Sequence, residues 1–194
     1  MRKFIIVLLF TISSSAFAGP RESVDQTIGQ LLEILKDGNE HSKTAKLCSL
    51  VRHRVDTSTI GSELLGSFFG KLGRDRNGIA RFKALVPSII FDQFYGLLNG
   101  KGGRSYVVTD TVPKGSSRVG VRVIIGGKTR LTITVSKTSL RVLDVEYGGR
   151  SMIRTKQAEI AAELRRYYKV NEATSLPISR LVDQLVRKGI TRCN

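Results

Sequence analysis

The stretch RVGVRVIIGGKTRLTITVS, residues 118–136, decides the fold, because apolar residues alternate with polar ones on either side of Gly126-Gly127. Successive side chains of a strand point to opposite faces. Val119, Val121, Val123 and Ile125 therefore share one face with Leu131, Ile133 and Val135, while Arg118, Arg122, Arg130, Thr132 and Thr134 share the other. Two glycines between two such runs read as a two-residue hairpin turn. Working outward, Tyr106–Thr111 and Leu140–Tyr147 alternate in the same way, joined through the looser connections Pro113–Ser117 and Lys137–Ser139. The expectation is a four-stranded antiparallel meander over 106–111, 118–125, 128–136 and 140–147, greasy on one face and wet and basic on the other.

Helical spacing takes over on both sides. Val24, Ile28, Leu31, Leu32 and Leu35 predict a first helix, stopped at Asp37-Gly38-Asn39. A second runs from Lys43 to about Val55 with Leu47, Leu50 and Val51 on one side. A third, capped within Asp56–Thr59, continues to about Leu72 and carries Ile60, Leu64, Leu65, Phe68 and Phe69. A longer helix from Ile79 to Leu98 includes Ile90 and Phe94, and Pro87 is expected to kink or split it. After Gly148-Gly149, Ser151 caps a helix to about Tyr168, and Pro177–Lys188 gives the last. The class is α+β. The helices bring more apolar surface than a four-stranded sheet obviously needs, so either the core is large or the helices enclose a cavity.

Residues 1–18 have the order of a cleavable export signal: Arg2 and Lys3, an apolar run Phe4–Phe10, then Ala16-Phe17-Ala18. That run is far short of the roughly 20 apolar residues of a membrane span. Residues 19–194 are then expected to act outside the cytoplasm as a single domain. The formal charge is +16, and it is uneven: residues 71–137 hold 13 basic against 3 acidic side chains. Inside a cell such a field points to nucleic acid, but export leaves anionic lipid surfaces, acidic proteins or a merely solvated face, and no nucleic acid. Cys48 and Cys193 are permitted to pair in an oxidising compartment, or stay as two free thiols. His41, Cys48 and His53 match no compact metal-ligand spacing, so no metal is expected. No nucleophile elbow, phosphate loop or metalloprotease helix is present, and Asp144 and Glu146 read as a solvated pair at a strand end. The expectation is a chain that is not an enzyme and has no cofactor.

At the last strand-to-helix junction the sequence reads DVEYGGRSMIRTKQAE, Asp144 to Glu159. This resembles the corresponding junction of the MlaC, or toluene-tolerance, family of periplasmic phospholipid-binding proteins. Leu164-Arg165-Arg166, the closing Leu181–Val186 helix, and Ile60-Gly61 to Gly70 followed by Arg81-Phe82 to Tyr95 are similar to further pieces of that family. The likeness extends over nearly all of residues 19–194, with the junction its most specific part. The chain departs from the family pattern in having no Trp.

The resemblance implies a twisted four-stranded sheet with helices from both ends of the chain packed around it, enclosing an apolar cavity for lipid tails. The lining it implies is Leu64, Leu65, Phe68, Phe69, Ile90 and Phe94 from the helices, and Val119, Val121, Val123, Leu131, Ile133 and Val135 from the sheet. It further implies a periplasmic shuttle whose cargo is phospholipid, or a hopanoid as in one branch of the family. The implied partners are an inner-membrane ABC-type lipid transport complex and an outer-membrane lipoprotein complex. Arg150, Arg154 and Lys156 stay open between head-group contact, partner docking and plain surface charge. The rival from the residues alone is a periplasmic protein-binding adaptor with a filled core and a basic docking face.

Overall fold

The computed structural model of the chain describes residues 19–71, 75–170 and 177–193. The export-signal reading of residues 1–18 lies outside them. The elements run α1 (Pro20–Ile34), α2 (Glu40–Arg54), α3 (Thr57–Leu65), α4 (Phe68–Lys71), α5 (Arg76–Leu98), β1 (Tyr106–Pro113), β2 (Arg118–Ile125), β3 (Thr129–Ser136), β4 (Val142–Tyr147), β5 (Arg150–Ser151), α6 (Met152–Val170) and α7 (Pro177–Arg187). The class is α+β, as the periodicity indicates.

The sheet is an open antiparallel meander in the order β1-β2-β3-β4-β5. Its register places Val121 opposite Ile133, Val123 opposite Leu131 and Ile133 opposite Val145, so one face is a continuous apolar layer. The expected strand count of four is corrected to five. Gly148 and Gly149 both have positive φ (57° and 76°), as do Gly126 and Gly127 (58° and 70°). Two successive left-handed residues are what a tight hairpin turn needs, so the second glycine pair folds Arg150-Ser151 back onto Tyr147 and Glu146 instead of ending the sheet.

Short polar side chains fix where the helices start. Asn39 accepts from the Ser42 N–H (3.0 Å), Asp56 from Thr59 (3.0 Å), Asp75 from Gly78 (2.9 Å) and Ser151 from Arg154 (2.9 Å). The helix expected to reach Leu72 is instead two pieces, α3 and α4, broken at Gly66 with φ +53°. Leu72 itself lies outside the described residues. Pro87 does not split α5, which continues from Arg76 to Leu98. The next residue, Ser88, is buried, and its hydroxyl accepts the N–H of Cys193, so the chain's tail is held across the middle of α5.

The main core lies between the apolar sheet face and α1, α3, α5, α6 and α7. A smaller cluster, Leu47, Cys48, Phe91 and Cys193, sits around a disulfide joining α2 to the tail. The two cysteines are bonded, with Cα atoms 5.2 Å apart and a sequence separation of 145.

Candidate functional site

Where α1, α2 and α5 cross the β3–β4 end of the sheet they leave an apolar cavity. Thr27, Ile28, Leu31 and Leu35 come from α1 and its C-cap, and Leu47, Leu50, Val51, Arg54 and Val55 from α2 and its end. Phe91, Phe94, Tyr95 and Leu98 line it from α5, and Leu131, Ile133, Val142 and Val145 from the sheet. Each helix presents residues three or four apart, so one stripe per helix faces inward. The cavity volume is ≈ 60 Å³, within about 670 Å³ of atom-free space that includes the open mouth. Ligand pockets typically hold about 300–1,000 Å³. A two-chain lipid therefore enters only if the α1 and α2 walls part from α5 and the sheet.

The polar groups around this cavity are few and mostly engaged. The Thr27 hydroxyl donates to the Ser23 carbonyl at 2.7 Å, and the Tyr95 hydroxyl donates to Glu40 at 3.0 Å. The Lys43 ammonium (2.6 Å) and that hydroxyl hold the Glu40 carboxyl below the usual range. Phe91 and Tyr95 stack with ring centres 5.3 Å apart, and the Arg192 guanidinium lies over both rings at 5.6 and 5.8 Å. That side is closed by the disulfide cluster. At the other, Leu50 and Arg54 lead into an open groove between α1 and α2.

Of the residues expected to line the cavity, Phe94, Leu131 and Ile133 do so. Leu64, Leu65, Ile90, Val121, Val123 and Val135 are buried in close-packed core, with Val121 and Val123 at 0% exposure, and Val119 and Phe68 pack against that core partly buried. Phe69 is 37% exposed, its ring 5.3 Å from the Lys83 ammonium. The wall of this cavity is thus formed by α1, α2, α5 and the β3–β4 end of the sheet, with α3 and β2 in the packed core. The physical reason is that α3 packs on α5, α6 and β4, whereas α2 meets the sheet only at its C-terminal end, through the Val55–Val142 bridge. Leu31, Leu50, Val51 and Leu98 line the cavity without having been expected to, although helical spacing puts all four on the apolar sides of their helices.

The junction at Asp144–Glu159 ties β4 and α3 to α6. Asp144 accepts from the Ile153 N–H (3.2 Å) in the first turn of α6, and Ser151 caps the same helix. Burial pushes the Asp144 carboxyl above its usual range, against hydrogen bonds from Ser151, Ile153 and Val145. The Gln157 amide donates to the Glu63 carbonyl at 2.6 Å, satisfying the end of α3 where Gly66 turns. A Cβ at Gly66 would lie 2.7 Å from that amide nitrogen. Arg150, Arg154 and Lys156 are on β5 and α6 and do not line the cavity. Among the described residues, no three His, Cys, Asp or Glu side chains converge as a metal would require, and no helix is long and apolar enough to cross a membrane.

Fold and cavity together define an α+β protein with an apolar recess between helices and an open antiparallel sheet. No protein-family model and no curated protein matches the sequence. A solved structure, described as the phospholipid-binding protein from Ralstonia solanacearum in complex with a phospholipid, matches the fold with a TM-score of 0.68 and 16% identity. The match covers 91% of this chain and 100% of that one. At that identity the likeness shows a shared fold.

Proposed function

We propose that the chain is an exported lipid carrier of the MlaC type, which sheathes the acyl chains of a phospholipid between α1, α2, α5 and the β3–β4 end of the sheet. The observation that carries this is the apolar cavity itself, set in a fold shared with a protein whose structure contains a phospholipid. The physical need is large: at about 0.8 kcal/mol per methylene, two chains totalling about 30 methylenes cost on the order of 24 kcal/mol in water. Opening the α1–α2 hairpin exchanges wall-to-wall apolar contact for wall-to-lipid contact, so entry is driven by the burial of the chains. The working place is the periplasm, between an inner-membrane ABC-type complex and an outer-membrane lipoprotein complex, and the cycle makes and breaks no covalent bond.

The rival with an observation behind it is the protein-binding adaptor, since a cavity of ≈ 60 Å³ is close to a filled core. Solvent extraction of the purified mature protein, followed by mass spectrometry, separates the two. The carrier yields phospholipid near one molecule per chain, or takes it up when offered. Protein that is lipid-free and refuses added phospholipid supports the adaptor instead.

A further inference from the structure

We infer that Arg54 and Arg141 form a phosphate-recognition site at the mouth of the cavity, for the phosphodiester of an acyl-bearing ligand; this rests on the carrier reading above. Arg54 is the single charged side chain among the residues lining the apolar cavity. It also lines the open groove between α1 and α2, and a polar hollow of ≈ 220 Å³ that it shares with Arg141, Ser139 and Gln26. The backbone dictates this meeting. Val55 and Val142 pair as a parallel bridge, and the Asp56 N–H donates to the Val142 carbonyl at 2.9 Å. The residues just before the bridge, Arg54 and Arg141, are thereby brought to one place.

What sets them apart is their place at the rim of the apolar cavity together with the lack of a counter-charge there. Among the described residues neither has a carboxylate within 4 Å, whereas Lys43, Lys46 and Arg192 nearby pair with Glu40 (2.6 Å), Asp37 (2.8 Å) and Asp92 (3.7 Å). The hollow at the opposite end of β4 is already neutralised, by Lys114 with Glu146 and Arg118 with Glu63. Two like charges lining one small hollow repel, and an anion bound there relieves the repulsion. The planar fork of each guanidinium fits two oxygens of a phosphate. In a glycerophospholipid the phosphate is one glycerol away from the chain ends, so chains inside the cavity put it at the rim where Arg54 stands.

The test measures binding of short-chain phosphatidylglycerol, phosphatidylcholine and a diacylglycerol with the same chains to wild type, Arg54→Gln, Arg141→Gln and Arg54→Lys. The expected result is about a tenfold loss for both phospholipids in the glutamine variants, corresponding to about 1.4 kcal/mol, with diacylglycerol unchanged. Arg54→Lys, which keeps charge without the fork, should fall between. Equal losses for diacylglycerol, or no loss for any lipid, overturn the inference while leaving the carrier reading intact. Inorganic phosphate alone should bind far more weakly than the phospholipids. If it binds as tightly, and depends on both arginines while lipid affinity does not, the site serves a free anion and the inference falls. A wild-type chain that takes up none of the three lipids overturns the carrier reading, and the head-group assignment with it.

Discussion

Replacing both Cys48 and Cys193 by Ala removes a crosslink closing a loop of 145 positions. In the chain-entropy treatment, that crosslink denies the unfolded chain freedom worth about 5 kcal/mol. Both cysteines are buried, at 5% and 3% exposure, and alanine leaves the apolar character of their surroundings in place. The Ser88 bond to the tail N–H also survives, so most of the loss falls on the unfolded state. A protein of this size shifts its Tm by about 2–4 °C per kcal/mol. The expected fall is therefore about 10–20 °C, with a matching loss in urea. The urea slope should also rise, because the unlinked chain exposes more surface on unfolding. Single Cys193→Ala should lose nearly as much as the double variant, since either change removes the same bond. A double variant within about 1 kcal/mol of wild type would refute the reasoning, as would single and double variants that differ widely.

Asp75 is 3% exposed and accepts from Gly78 N–H (2.9 Å) on α5 and from the N–H and hydroxyl of Ser179 (2.9 and 3.0 Å) on α7. Asp75→Ala should cost about 3 kcal/mol in urea unfolding, a lost cap plus unsatisfied buried donors, and Asp75→Asn clearly less. The raised Asp144 carboxyl binds its proton more tightly folded than unfolded. Its charge therefore penalises folding above the folded-state pKa, and the penalty fades as pH falls toward the unfolded value. Asp144→Asn should remove that slope from a Tm-against-pH curve; an unchanged slope contradicts the assignment. Asp37, Glu40 and Asp110 are held below the usual carboxylate range, chiefly by Lys46, Lys43 and the Thr109 hydroxyl respectively. Their stabilisation is present above the unfolded pKa near 4 and is lost as pH falls below it, so Asp37→Asn should flatten the acid limb of the same curve. Leu50→Glu puts a charge at the cavity mouth on a half-buried position. Phospholipid uptake should fall at least about tenfold, the ratio of 1.4 kcal/mol, with Tm nearly unchanged, whereas Arg130→Ser on the outer sheet face should leave uptake intact.

The sheet was legible in the sequence because a period of two leaves little choice once one face is buried. Val121, Val123, Leu131 and Ile133 could only have shared a face. The fifth strand was not, since Gly148-Gly149 looks the same whether the chain leaves the sheet or turns back into it. The break at Gly66 depends on Gln157, 91 positions later, approaching from α6, and no local pattern contains that. The cavity was the least legible feature. An apolar stripe shows which side of a helix is buried, as it did for Leu47, Leu50 and Val51, but not whether the opposite wall touches it. The disulfide was allowed by composition, while its formation depended on the tail crossing α5 at Ser88.

The proposed carrier holds its acyl chains in the space between α1, α2, α5 and the β3–β4 end of the sheet. A phospholipid carrying a photoactivatable group in its acyl chain, loaded onto the purified protein and mapped after irradiation by peptide mass spectrometry, tests it directly. Adducts are expected at Leu31, Leu50, Phe94 and Leu131. Adducts confined to exposed apolar side chains such as Val107 and Tyr147, or none at all, would contradict it.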